Sequence, residues 1–110
     1  MADLKIIVGT DGKNLQLARR VADIATNRMC DSEIIDLSTY ELPLYTRKTP
    51  DGDLDALNSL IQSLEDPSPW FVLLPEYNGG LPPVWINALT WLSVQHDDFR
   101  KMFNRRRIAI

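Results

Sequence analysis

The sequence predicts an α/β domain, an open parallel sheet with helices on both faces, and three observations carry that prediction. Short continuous apolar runs, "LKIIV", "EIIDL" and "WFVLL", are rich in β-branched or aromatic residues, as strands buried on both faces are. Segments between them repeat apolar residues at helical spacing. The two kinds alternate along the chain, which is the pattern of a parallel sheet, because parallel strands need a crossover to return. With 110 residues, 45% of them apolar, the chain has material for one small domain.

Each element follows from its own stretch. "LKIIVG" is the first strand, and Gly9 stops it. "NLQLARRVADIATNRM" is the first helix, with Leu17, Val21, Ile24, Ala25 and Arg28 along one side and polar residues opposite. Cys30, just beyond it, is expected to be a buried, inert thiol. "EIIDL" is the second strand, and "STYELPLYTRKTPDGD" a long connection punctuated by Pro43, Pro50 and Gly52. In "DLDALNSLIQSL" the residues Leu54, Leu57, Leu60, Ile61 and Leu64 keep helical spacing, with Asp53 as the N-cap. "PSPWFVLLP" is the third strand. A helix beginning near Leu81 follows, then a polar stretch to about Asn104, and "RRIAI" is the fourth strand.

Right-handed crossovers in a sheet of order 2-1-3-4 set the first helix on one face and the other two on the opposite face. Four strands at about 4.8 Å spacing make a sheet roughly 15–20 Å wide. One helix, about 10 Å across, does not cover that width. The last apolar strand, running to Ile110, should be a sheet edge and should not stand bare. We therefore expect either a longer parent, of which a C-terminal portion is missing, or a partner chain that completes the fold, and favour the truncated parent.

Composition narrows the function classes. A net charge of −3, not gathered into blocks, argues against nucleic acid or an anionic membrane as main partner. The single cysteine allows no internal disulfide and fits a reducing compartment. "MADLKIIVGT" is not a signal peptide, and "WFVLL" falls far short of the ~20 residues that span a bilayer. The expected class is a soluble cytoplasmic protein. His96 and the run Arg105–Arg107 read as solvated residues, and no metal-ligating cluster or general base is evident.

In a sheet of this order, ligands bind at the carboxyl ends of strands one and three, where the connections diverge. Two glycine loops fall there: "GTDGKN" (Gly9 to Asn14) and "PEYNGG" (Pro75 to Gly80). The first opens a helix, whose unpaired N–H groups can cradle a phosphate, with Thr10 and Asn14 as side-chain donors and Lys13 as cation. Alternatively it is a turn capped by Asp11, whose carboxylate would repel a dianion. The second loop offers backbone N–H groups from Glu76 to Gly80, with Tyr77 and Asn78 equipped to grip a planar heterocycle. Capping by Asn78, with Pro82 and Pro83 preorganising a helix, explains those three residues and leaves Glu76 and Tyr77 without a reason.

"PEYNGGLPPVWINALTWLS" resembles the signature of the NADPH-dependent FMN reductase family, P-E-Y-N, then G/S, then P-G, then a helix like L-K-N-A-L-D-W-L-S. "DLSTYELPLY" (Asp36 to Tyr45) and "RRRIAI" resemble the family's segments after strand two and before strand four. The resemblance implies a flavodoxin-like fold, non-covalent FMN, NAD(P)H as electron donor, and a flavin, quinone, azo or metal-oxyanion acceptor. It also implies a homodimer or homotetramer. Carried over position by position, it assigns Pro75, Glu76, Tyr77, Asn78 and Gly79 to the flavin loop, which Gly80 closes. In the phosphate loop after Gly9, Thr10 stands for the first Ser of G-S-x-R-x-x-S and Asn14 for a downstream Asn, the Arg and second Ser have no match, and Lys13 is our own candidate for the substitute cation. This loop is about three residues shorter than the family's, and a third cofactor loop would lie beyond Ile110. It names no catalytic side chain, since the flavin carries the chemistry.

Within the helix, Pro83, Trp85, Ile86 and Thr90 stand where the family has Gly, Leu, Lys and Asp. Pro83, Ile86 and Thr90 fall within roughly one 60° sector. Leu81, Trp85, Ala88, Leu89 and Leu92 make the core face, and an apolar outer stripe beside Trp91 is expected to meet another subunit. Two rival classes remain at this stage: a cofactor-free binding or assembly module, and a flavodoxin-type electron carrier.

Overall fold

The computed structural model describes residues 2–10, 12–46, 54–94, 102–103 and 106–110. Strands β1 (Leu4–Val8), β2 (Ser32–Asp36), β3 (Trp70–Leu73) and β4 (Ile108–Ala109) form one parallel sheet in the order β2-β1-β3-β4. Helices α1 (Lys13–Asn27), α2 (Asp55–Leu64) and α3 (Pro83–Ser93) connect them, and a short 3-10 turn, Leu37–Thr39, follows β2. The predicted strand order and helix placement both hold. Alternation along each strand sorts the core. Ile6 and Val8 pack on Ala18 of α1, while Ile7, Ile35, Trp70 and Val72 face Leu60 and Leu64 of α2 and Trp85, Ala88 and Leu92 of α3.

α1 turns a different side to the sheet from the one its largest side chains suggest. Ala18 and Ala25 are buried, with Leu15, Val21 and Ala22 beside them, while Leu17 (47% exposed), Ile24 (50%) and Arg28 stay outside. Leu17 and Ile24 lie about 100° round the helix from those alanines. The small residues let the backbone approach β1 and β2 closely, and α1 lies chiefly over these two strands. Its C-terminus closes with two tight bonds, from the Cys30 N–H to the Ala25 carbonyl (2.8 Å) and from the Met29 N–H to the Thr26 carbonyl (3.0 Å). That pattern needs a left-handed residue after the helix, and Met29 takes it with φ 60°. Cys30 is partly exposed, not buried as expected.

α2 buries Leu57, Leu60 and Leu64 as its spacing predicts; its cap position is Leu54, and Asp53 lies outside the described residues. α3 begins at Pro83 with Pro82 as cap, later than the expected start near Leu81. Leu81 is therefore outside the core face, 53% exposed. Trp85, Ala88 and Leu92 are buried as predicted. Trp91, expected at an exposed stripe, is also buried, because its indole N–H donates to the Pro43 carbonyl (2.7 Å) and its ring meets Tyr45 edge-on.

The amino ends of the strands are tied by charge. Lys5, buried in β1, pairs with Glu33 and Asp66. Arg106, far from being a merely solvated residue, donates to the carbonyls of Leu64, Asp66, Ser68 and Met102 and lies 4.6 Å over the Trp70 ring. It thus binds the carboxyl end of α2 to the start of β3, where cationic donors are favoured. His96 and Arg105 lie outside the described residues.

Candidate functional site

Register brings the two loops together. Val8 of β1 pairs with Leu73 of β3, so Gly9 and Leu74 leave the sheet side by side, and the Gly9 N–H donates to the Leu73 carbonyl (3.1 Å). A Cβ at Gly9 would stand 3.0 Å from Leu74 Cδ2, 3.4 Å from Pro75 Cδ and 3.7 Å from Pro82 Cγ. Only a residue without a side chain fits that approach with no displacement, and through it the first loop touches the second.

Beyond Gly9, the chain passes half-buried Thr10 and starts α1 at Lys13. Gly12 is the cap and carries no side chain to cover the helix end, and no acidic residue lies in the first turn. The Leu15 and Gln16 amides bond back to the Gly12 carbonyl. Those of Lys13 and Asn14 have no partner among the described residues, and unpaired amides at the positive end of a helix are suited to an anion. The alternative, a cap by Asp11, falls on a residue outside the described ones, and the cap position is Gly12.

The second loop is a tight two-residue turn. Tyr77 and Gly80 exchange reciprocal backbone bonds of 3.0 and 2.9 Å, and Asn78 (φ 52°) and Gly79 (φ 78°) between them are both left-handed. Positive φ at both central positions is the type I′ geometry that Asn-Gly favours. This overturns Asn78 as a helix cap: α3 starts five residues later, at Pro83, with Pro82 as its cap. It also narrows the expected set of free donors. The Tyr77 and Gly80 amides are spent on the turn, while those of Glu76, Asn78 and Gly79 have no partner among the described residues. Glu76 to Gly80 are exposed, Tyr77 at 48%. The structure therefore gathers all ten predicted residues at one end of the sheet, with Gly9, Pro75 and Pro82 as the joint.

A third segment at this end was not legible as a site component. The connection after β2 is held against α3 by Asn87, whose side-chain oxygen accepts from the Tyr45 N–H (2.8 Å) and whose amide donates to the Pro43 carbonyl (3.0 Å). An asparagine is a mediocre residue for a helix interior, and that low propensity was the available signal.

Burial works against the charge of Lys5, but its bonds and ion pairs with Glu33 and Asp66 outweigh it and hold the ammonium above the usual lysine value. Burial likewise pushes the Asp66 carboxyl up, and bonds from Ser68 and Lys5 bring it below the usual range. Both belong to the opposite end of the strands. Among the described residues, no group of His, Cys, Asp and Glu could hold a metal ion, and no helix is long and apolar enough to cross a membrane. A separate apolar cleft of about 450 Å³ lies between α3 and β4, lined by Trp85, Ile86, Leu89, Phe103 and Ile108 among others.

Comparisons with known proteins bear on the family and the fold. A sequence model of the family described as NADPH-dependent FMN reductase matches residues 4–110. A 2-hydroxy-1,4-benzoquinone reductase of a Burkholderia species is 29% identical over 93 residues, which make up 82% of this chain and 49% of the relative. The chain thus spans about half the length of the curated relative it matches. FerB, a flavoenzyme NAD(P)H:(acceptor) oxidoreductase from Paracoccus denitrificans, superimposes with a TM-score of 0.77 at 20% identity, covering 98% of this chain and 58% of that one. At that identity the likeness speaks for the fold.

Proposed function

Because the chain belongs to the NADPH-dependent FMN reductase family, we propose that it serves an FMN-dependent NAD(P)H oxidoreductase whose electron acceptor is a quinone or similar small ring. Bound FMN would supply the redox chemistry, taking a hydride from the nicotinamide and passing electrons to the acceptor. The chain's own residues hold and orient. The open amides of Lys13 and Asn14, with the Lys13 ammonium, receive the phosphate. Thr10 adds a hydroxyl donor. The free amides of Glu76, Asn78 and Gly79 meet the polar edge of the ring system, and Tyr77 lends a flat apolar surface. No side-chain acid or base is assigned.

The observation that carries this reading is the contact at Gly9, which sets an uncapped helix end beside a rigid turn with outward amides. Titration of the purified protein with FMN tests it. Quenching of flavin fluorescence, followed by NAD(P)H oxidation with a benzoquinone, is the expected result; a colourless protein that leaves FMN fluorescence unchanged refutes it.

The reading places the protein in the cytoplasm, where the lone thiol of Cys30 stays reduced, and makes it a homodimer or homotetramer through the 81–93 region. Ile86, 47% exposed on α3 at the apolar cleft, supports that assembly. Ile86→Lys should lower the mass measured by analytical ultracentrifugation toward the monomer, and an unchanged mass counts against it.

A further inference from the structure

We propose that the segment Pro43–Tyr45 is a fixed wall of the ligand end, with Leu44 as the apolar contact for a quinone ring and Asn87 as the residue that positions it. The inference deepens the reading above and rests on it for the identity of the acceptor.

The argument begins with an exposed leucine in a restrained place. Leu44 is 73% exposed, yet both neighbouring backbone groups are pinned to α3. The Pro43 carbonyl accepts from the Asn87 amide and from the Trp91 indole, and the Tyr45 N–H donates to Asn87 Oδ1. The Tyr45 ring packs edge-on against Trp91 at 5.1 Å. An exposed apolar side chain on a loose loop needs no explanation. Here, three hydrogen bonds and a ring contact from buried or half-buried partners hold the backbone on both sides of one.

Topology places that leucine at the site. The segment leaves β2 at its carboxyl end, the same end at which β1 and β3 deliver the two loops. It docks on α3 at Asn87, four residues past Pro83, or about 6 Å along the helix from its start. α3 itself begins at Pro83, with Leu81 and Pro82 between it and the turn at Tyr77–Gly80. The clamp therefore stands about one helical turn from the start of α3, which the proposed flavin loop leads into. A pre-set apolar residue beside a planar redox group suits an uncharged aromatic acceptor, which gains by burying ring surface without losing a hydrogen bond.

The test follows the Leu44 methyl signals by NMR while 2-methyl-1,4-naphthoquinone is added to the 110-residue chain, with FMN and without. Shifts at Leu44 that saturate with the quinone are expected, and Leu44→Ser should weaken quinone affinity at least fivefold while the FMN titration stays within twofold. Asn87→Ala should speed hydrogen exchange at the Tyr45 amide at least tenfold and weaken the quinone to the level of Leu44→Ser. The double variant should be no worse than Asn87→Ala alone. Unmoved Leu44 signals, or a Leu44→Ser variant with unchanged quinone affinity, overturn the proposal whether or not FMN binds. Absence of FMN binding with intact quinone shifts at Leu44 removes the flavin reading and leaves the wall standing.

Discussion

The turn at Asn78–Gly79 is exposed and sharply constrained in its backbone, so Gly79→Val separates backbone geometry from packing. A Cβ at Gly79 would meet nothing within 4 Å, and the whole effect must come from its φ of +78°. Holding an L-residue in left-handed conformation costs roughly 1–2 kcal/mol, with a β-branched residue at the upper end. Two net hydrogen bonds between Tyr77 and Gly80 supply about 1–3 kcal/mol in return. The terms are comparable, so valine leaves the turn open for much of the time, and the amides of residues 78 and 79 are then presented wrongly. A binding-competent state depleted by about 1–2 kcal/mol weakens the ligand roughly 5–30-fold. Global stability should move by less than about 1 kcal/mol, because valine also restricts the unfolded chain. Flavin fluorescence titration gives the affinity, and urea unfolding gives the stability. Gly79→Asn, which tolerates positive φ, should stay within about threefold of the parent. An FMN affinity unchanged by valine, or damaged equally by asparagine, refutes the claim that the turn's backbone is what the ligand reads.

Met29→Gly should raise stability by about 0.5–1 kcal/mol, since it relieves a left-handed residue whose side chain is 95% exposed, whereas Met29→Ala should change little; urea midpoints at constant slope decide between them. Arg106→Ala should cost about 2–4 kcal/mol by orphaning carbonyls on three segments, and Arg106→Lys about half as much, because an ammonium cannot reproduce the fork. Asp66 is held below its ordinary 3.8, so the stability it contributes is full above that pH and is lost as pH falls through its lowered value. Asp66→Asn should therefore flatten the stability profile below about pH 4 and cost about 1 kcal/mol at neutral pH. An Asp66→Asn profile as steep as the parent's would place the acid-labile group elsewhere.

The sheet was legible because each strand is a short apolar run bounded by a breaker, and the layers followed from crossover handedness alone. The face of α1 was not. Reading by size favours Leu17 and Ile24, but approach to a sheet favours the side with Ala18 and Ala25, and nothing in a single sequence says how far a helix reaches across its sheet. At the site, Gly9 and Gly79 were legible as loop glycines, whereas Asn78, expected as a helix cap or an amide contact, is the first left-handed residue of the turn. Arg106 and Asn87 were hidden. Their partners are main-chain carbonyls and amides far away in sequence, and a backbone group leaves no mark on the residue that carries it.

That contrast bears on what holds the candidate site together, and the answer is one helix. The Pro82 cap of α3 is fully buried against the joint at Gly9, the turn at 77–80 leads into that cap, and Asn87 and Trp91 fix the segment at 43–45. Three loops from three strands thus share α3 as their support, while α1 contributes only an open end. Substitutions along α3 should then disturb flavin and acceptor contacts together, whereas those at Lys13 or Asn14 act on the phosphate alone. An uncapped helix end offers charge and free amides but little shape, and the turn offers shape but no charge. Under the proposed function, recognition of a phosphorylated flavin would draw on both, and the backbone bond from Gly9 to Leu73 with the close packing around it would then belong to the binding machinery without touching the ligand.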